Sequence, residues 1–276
     1  MTTERKTTLV IGGNGKTGRR VVQRLTARGV PVRLGSRAGE PPFDWNERGT
    51  WAPALRSAES AYVTYYPDLA APGAASTVGA FAELAVKSGV RRLVLLSGRG
   101  EAGALRGEEA VRASGAEWTI LRSTWFSQNF SEGAFRDQVL TGTVALPTGS
   151  VREPFVDADD IADVAVAALT EDGHACHVYE LTGPRLLTFA EAVDAIATAT
   201  RRELRYVQIS VDEYASVLAQ YEVPAELVSL IVYLFTEVLD GRNARLADGV
   251  QRALGRAPRD FRDFARAAAS AGAWNP

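Results

Sequence analysis

Over the first two thirds of the chain, short apolar runs alternate with stretches of helical period. Runs of strand length lie at 7–12, 30–35, 60–65, 91–97 and 116–122, with a weaker one near Phe43. Between them, 15–28, 73–88 and 104–114 carry apolar residues at helical spacing, as Val21, Val22 and Leu25 do. Such βα alternation predicts a parallel sheet with helices on both faces. Residues 156–170 read as an acidic start followed by an apolar helix, and 177–182 as one more strand. Further on the pattern is mostly helical, at 188–200, 211–220, 224–239 and 259–270, with strand-like 204–209 between. The predicted architecture is α/β, a doubly wound sheet domain over 1–155 to which 157–183 returns. A smaller, mainly helical region over 184–276 follows, with a contribution from 125–150.

The first strand ends on glycines. Gly12, Gly15 and Gly18 stand at spacing of three between Ile11 and the first helix. In a Rossmann-like unit the first glycine lets the chain turn sharply. The second removes a side chain where a pyrophosphate approaches, and the third lets helix and strand pack closely. Phosphates then sit at the positive end of the helix. Asn14 and Thr17 fit as turn and cap residues. Lys16 adds charge beside the phosphates, or is a solvated lysine at a helix start. After the second strand an NAD site usually places Asp or Glu for the ribose 2′-OH. Here Gly35, Ser36 and Arg37 follow, and the first acid is Glu40. A guanidinium where the acid would stand suits a 2′-phosphate, so NADP(H) is the expected cofactor.

Composition narrows the partners. A chain of 276 residues with 46% hydrophobic residues can bury a large core, and its net charge of −2 carries no basic footprint for nucleic acid. No apolar stretch is long enough for a membrane span. The start, MTTERKTT, lacks a hydrophobic signal region, so a cytoplasmic location is expected. Cys176 is the single cysteine, which excludes an intrachain disulfide. His174, Cys176 and His177 look metal-like but read as a loop entering a strand, and no metal site is expected.

One constellation is missing. The strand RLVLLS ends on Ser97, where short-chain dehydrogenases have a Ser followed by Tyr-x-x-x-Lys on the next helix. The chain has three lysines, Lys6, Lys16 and Lys87, and Thr2, Gly12 and Glu83 stand four residues before them. No Tyr-x-x-x-Lys exists. Carbonyl reduction builds charge on oxygen and wants a positioned acid. An iminium becomes a neutral amine on taking hydride, and a quinone delocalises the charge it gains.

GGNGKTGRRV at 12–21, GSR at 35–37, FDW at 43–45, LVLLSGRGE at 93–101 and EWTILRSTWFSQNFSEG at 117–133 resemble the NmrA-like branch of the atypical short-chain dehydrogenase/reductase family. PFVDADDIADVAVAAL at 154–169 and YELTGPRLLTFAEA at 179–192 complete the likeness, which covers nearly the whole chain. Within that branch, the TWFxQNF and YELTGPxxLT segments are similar to the ergot-alkaloid reductases. The resemblance implies NADPH-dependent hydride delivery to an iminium or quinone-like ring without a Tyr/Lys pair. The branch also holds redox sensors that bind dinucleotide without turnover, and that alternative stays open. Ser123 departs from the Pro common after the arginine, and Asn14 from the usual Thr.

Carried over, the resemblance places Gly12, Asn14, Gly15, Lys16, Thr17 and Gly18 on the phosphates and Ser36 and Arg37 on the 2′-phosphate. It places Asp44 and Trp45 by the adenine, and Thr64, Tyr65, Tyr66 and Pro67 by the ribose. Ser97 and Gly98 fall near the nicotinamide, and Trp125, Phe126, Asn129 and Phe130 on the substrate side. Ser97, Asn129 and Trp125 are the candidates for orienting a small organic substrate. Phe126 and Phe130, four apart, equally suit a core-facing stripe. Asp157, Asp159 and Asp160 read as a helix N-terminus rather than as acid–base carboxylates. Leu227–Phe235 reads as core or as a dimer face, leaving monomer and homodimer both open.

Overall fold

The computed structural model describes residues 7–133 and 135–275. Contacts divide the chain into two units: 1–123, 158–181 and 248–256 form the first, and 124–157, 182–247 and 257–276 the second.

The first unit is built on one parallel sheet. Its elements in chain order are β1 (Thr7–Ile11), α1 (Lys16–Ala27), β2 (Val32–Gly35), α2 (Trp51–Leu55), β3 (Ala58–Val63) and α3 (Ala74–Lys87). There follow β4 (Arg92–Gly98), α4 (Ala102–Ala113), β5 (Glu117–Ser123), α7 (Ala158–Thr170), β8 (His177–Leu181) and α11 (Gly249–Leu254). The strand order is β2-β1-β3-β4-β5-β8. The order reverses between β1 and β3, and ligands of open α/β sheets bind outside the strands' carboxyl ends at such a point. Leu9, Ile11, Ala61, Val63, Leu93, Leu95 and Ile120 form the core with Phe81 and Ala85 of α3. Helix α1 buries Thr17, Val21 and Leu25 at spacing of four, the stripe its sequence period predicts.

Three expectations need correction here. No strand forms near Phe43. Residues 43–45 are loop, fixed because the Trp45 indole N–H donates to the Thr64 carbonyl at 3.0 Å and its ring packs on Phe43, Trp51, Tyr65 and Phe81. The first unit closes at Ser123 rather than 155. It also takes back 248–256, because Gly249 lets α11 pack directly on β8, where a Cβ would overlap the Glu180 backbone. Arg256 then pairs with Asp160 at 2.7 Å and with Asp163 at 2.6 Å on α7.

The second unit contains α5 (Asn129–Glu132), α6 (Arg136–Thr141), β6 (Thr143–Leu146), β7 (Arg152–Glu153), β9 (Leu187–Thr188) and α8 (Phe189–Thr200). It also contains β10 (Arg205–Gln208), α9 (Val211–Gln220), α10 (Ala225–Tyr233) and α12 (Phe261–Ser270). Strands β10 and β6 pair in parallel, and β7 with β9 antiparallel. Capping boxes start α8 (Thr188 with Glu191) and α9 (Ser210 with Glu213). Phe130, Phe135, Phe155, Phe189 and Phe261 make the aromatic centre of its core. Helix α10 has no fully buried residue; Ile231 packs half-buried against the core, and Phe235 in the π-helical turn that follows is buried.

Candidate active site

The glycine turn joins β1 to α1 at the carboxyl end of the sheet. Gly12 has a φ of 70°, a conformation that a side chain strains. A Cβ there would also overlap the Thr64 hydroxyl, which donates to the Ile11 carbonyl at 3.1 Å. A Cβ on Gly18 would overlap the Gly12 carbonyl, so the helix touches the strand end as the third glycine requires. Gly15 is exposed, and a Cβ there would meet only the Gly12 oxygen, at 3.2 Å. Gly15 is also the N-cap of α1. No side chain caps that helix, and its first turn holds no acid. An anion therefore meets an uncovered helix dipole. Asn14 is exposed and Lys16 half-buried at the same turn.

Thr17 does not cap the helix. It is buried beside the Tyr62 phenol, without reaching hydrogen-bond geometry to it. Burial pushes that phenol above its usual pKa, the neighbouring Thr17 hydroxyl opposing the shift.

Ser36 and Arg37 follow β2. The Ser36 carbonyl accepts from Gly39 and Phe43 N–H groups, both at 2.9 Å, which turns the chain. Arg37 is exposed and, among the described residues, makes no ion pair. The Asp44 carboxylate accepts from the Asn46 N–H at 2.9 Å, and its carbonyl from the Trp51 indole at 2.9 Å, so the residue shapes its own loop. Thr64 ties β3 to β1, Tyr65 lies on Trp45, and Tyr66 is 77% exposed.

Ser97 is placed differently from the expectation. It is 4% exposed, and its hydroxyl donates to Glu108 Oε1 at 2.7 Å. Arg122 grips the same carboxylate bidentately, Nε to Oε1 at 2.7 Å and Nη2 to Oε2 at 2.6 Å. The Ser97 side chain therefore turns under α4 and orients Glu108. Gly98, the last residue of β4, has the carboxyl group of Glu101 folded over it, where a Cβ would be.

In the second unit, Trp125 is half-buried, stacked on Phe135 and packed against Phe189 and Phe235. Phe126 and Asn129 are half-buried. Phe130 is 0% exposed and lies in the aromatic core. Two buried polar residues meet here, Gln128 donating to Asp157 Oδ1 at 2.8 Å. Asp159 belongs to structure: Arg24 and Arg20 hold its carboxyl below its usual range, against the upward push of burial. His174 Nδ1 faces the Tyr179 hydroxyl at 2.9 Å, and the described residues contain no cluster of three or more His, Cys, Asp or Glu fit for a metal. No helix among them is long and apolar enough to cross a membrane.

Sheet order and glycine turn together define a dinucleotide-binding α/β protein of short-chain dehydrogenase/reductase type. No family model matches the chain. It is 34% identical over 275 residues to an uncharacterized oxidoreductase, YesF, of Bacillus subtilis (strain 168), with 95% of each chain covered. It is 30% identical over 286 residues to an NAD(P)H azoreductase of Xenophilus azovorans, covering 95% of this chain and 98% of that one. In fold it is similar to the Citrobacter sp. triphenylmethane reductase complexed with NADP(H), with a TM-score of 0.75, 19% identity, and 95% and 99% of the two chains covered. The chain belongs to the NmrA-like branch of the atypical short-chain dehydrogenase/reductase family.

Proposed function

We propose that the protein binds NADPH at the glycine turn, in preference to NADH, and delivers hydride to a planar, electron-poor organic substrate of the iminium or quinone class. It is an NAD(P)H-dependent oxidoreductase, like the relatives named oxidoreductase and NAD(P)H azoreductase. The observation that carries the finer reading is the uncapped, acid-free start of α1 behind an exposed Gly15, with the unpaired guanidinium of Arg37 after the neighbouring strand. Azo compounds and triphenylmethane dyes, the targets in the names of two similar proteins, are conjugated and electron-poor, which supports the substrate class.

The bound dinucleotide supplies the hydride. The chain's own residues bind and orient. The helix start and Lys16 hold phosphate, and Ser36 and Arg37 hold the 2′-phosphate. We assign substrate contact to Trp125, Phe126 and Asn129, the half-buried members of their segment. We leave Ser97 and Phe130 out of this assignment, because Ser97 donates to Glu108 and Phe130 is buried in the aromatic core.

Turnover of NADPH with menadione and with a cyclic imine tests this reading. Oxidation of NADPH dependent on one of them supports it, and none with either removes the substrate class. Gly15→Val is expected to lower NADPH affinity more than a hundredfold while leaving the melting temperature near the wild type's, because a Cβ there presses only on the Gly12 carbonyl oxygen, at 3.2 Å. Unchanged affinity in the folded variant would place the dinucleotide elsewhere.

A further inference from the structure

The turn after β4 carries a carboxyl group that neither the missing Tyr/Lys pair nor the glycine turn explains. Glu101 is 9% exposed, and its Oε2 has no hydrogen-bond partner. The side chain does not cap α4, although Glu101 is the N-cap residue. It folds back over Gly98, and only glycine admits it there, because any Cβ on that residue would collide with the carboxyl carbon and both oxygens. Gly100, with a φ of 81°, makes the reversal.

The charged group facing this carboxyl is another carboxyl, Asp68, from the loop after β3. Among the described residues, no ion pair is formed by Glu101. Arg99, two residues earlier, donates through Nε to Glu180 Oε2 at 3.1 Å, and Glu108 on α4 is gripped by Arg122. A buried carboxyl beside a second, half-buried carboxyl favours its protonated form, because ionising it would place like charges together in a poorly solvated place. Burial first, then the charge and hydrogen bond of Asp68, push Glu101 up to about 9. At neutral pH it is a carboxylic acid, able to donate.

Its position gives that proton a use. Gly98 ends β4, two strands along from β1, on the same carboxyl edge as the glycine turn. Two strand spacings are roughly 10 Å, and an extended dinucleotide anchored at Gly12–Gly18 reaches that far. We propose that Glu101, seated over Gly98 and paired with Asp68, is the proton donor that completes reduction of a quinone-like substrate. The proposal rests on the reading of the chain as an NADPH-dependent reductase.

The chemistry balances. NADPH gives hydride to the quinone and becomes NADP⁺, leaving a hydroquinone monoanion. The O–H bond of Glu101 breaks, an O–H bond forms on the substrate oxygen, and the carboxylate left behind regains its proton from water. An iminium substrate would not need this step, since hydride alone makes the neutral amine. A proton donor at this position therefore favours the quinone-like class.

Two measurements test the proposal separately from the reading beneath it. Infrared titration of the protein without dinucleotide should show a protonated carboxyl band that disappears near pH 9. The band should be absent in Glu101→Gln and should titrate at lower pH in Asp68→Asn. A wild-type protein with no such band above pH 6 overturns the proposal, whatever becomes of NADPH. With menadione as oxidant, Glu101→Gln should lose 10²–10⁴-fold in kcat at unchanged NADPH affinity, and Asp68→Asn should move the alkaline fall in kcat to lower pH. A kcat within threefold of the wild type in Glu101→Gln overturns the proposed role, while loss of NADPH binding by the wild type would remove the underlying reading instead.

Discussion

Helix α4 presents two buried glutamates, and they differ in everything except burial. Glu108, two turns along, is 1% exposed and receives Arg122 through two hydrogen bonds and Ser97 through a third. Glu101, at the helix start, is 9% exposed, and the charged group beside it among the described residues is another acid, Asp68. Burial alone therefore assigns neither a structural nor a chemical role; the partner does. With a cation, the carboxyl is a fixed anion that clamps β4, β5 and α4 together. Its bond raises the Arg122 pKa above the ordinary value, outweighing desolvation of the guanidinium. With a second acid and no cation, the carboxyl keeps its proton. The two sites stand seven residues apart on one helix, so global unfolding affects both alike and their differences are diagnostic.

The largest expected effect lies at the clamped end. Arg122→Ala should destabilise the protein by about 3–5 kcal/mol, because it removes the bidentate partner of buried Glu108 and leaves only Arg112, at 3.5 Å. Urea unfolding measures this, and a loss below about 1 kcal/mol would mean that water already solvates Glu108. Next comes the pH dependence of stability at the other end. Glu101 is raised from 4.5 unfolded to about 9 folded, so its stabilising contribution is complete below pH 4.5 and is lost as pH rises through 9. Each pH unit in that window removes about 1.4 kcal/mol, so wild type should lose roughly 3 kcal/mol between pH 6 and 8 relative to Glu101→Gln. Parallel stability curves for the two proteins would erase the distinction between the glutamates. The smallest effect is that of Ser97→Ala, which removes one of three hydrogen bonds on Glu108. It should cost about 1–2 kcal/mol in stability and less than tenfold in kcat with menadione. A thousandfold loss of kcat would restore Ser97 to the reaction.

The glycine turn and most elements are legible in the chain because they depend on local chemistry. Residues 15–28 predict the helix found at Lys16–Ala27, and 211–220 that at Val211–Gln220. What misleads is set by distant partners. The run near Phe43 is apolar enough for a strand, yet the Trp45 indole bond to Thr64 holds it as loop. Helix α11 lies far along the chain, and only the close approach allowed by Gly249 returns it to the sheet unit. In RLVLLS both faces of the strand are apolar, so no alternation reveals that Ser97 points under α4. Phe126 and Phe130 share spacing but not fate, since Phe130 alone enters the aromatic core. Glu101 reads as an ordinary surface acid; its meaning comes from Asp68, thirty-three residues earlier in sequence and adjacent in space.

Calorimetric titration of the wild type and of Arg37→Ala with NADPH and NADH tests the central claim, that an NADPH-binding reductase site is built on the glycine turn and the cation beyond β2. The wild type should bind NADPH more tightly than NADH, and Arg37→Ala should erode that preference by about 1.5–3 kcal/mol, the worth of a hydrogen bond to a charged group. Equal affinity of the wild type for the two dinucleotides, or a preference untouched by Arg37→Ala, would contradict it.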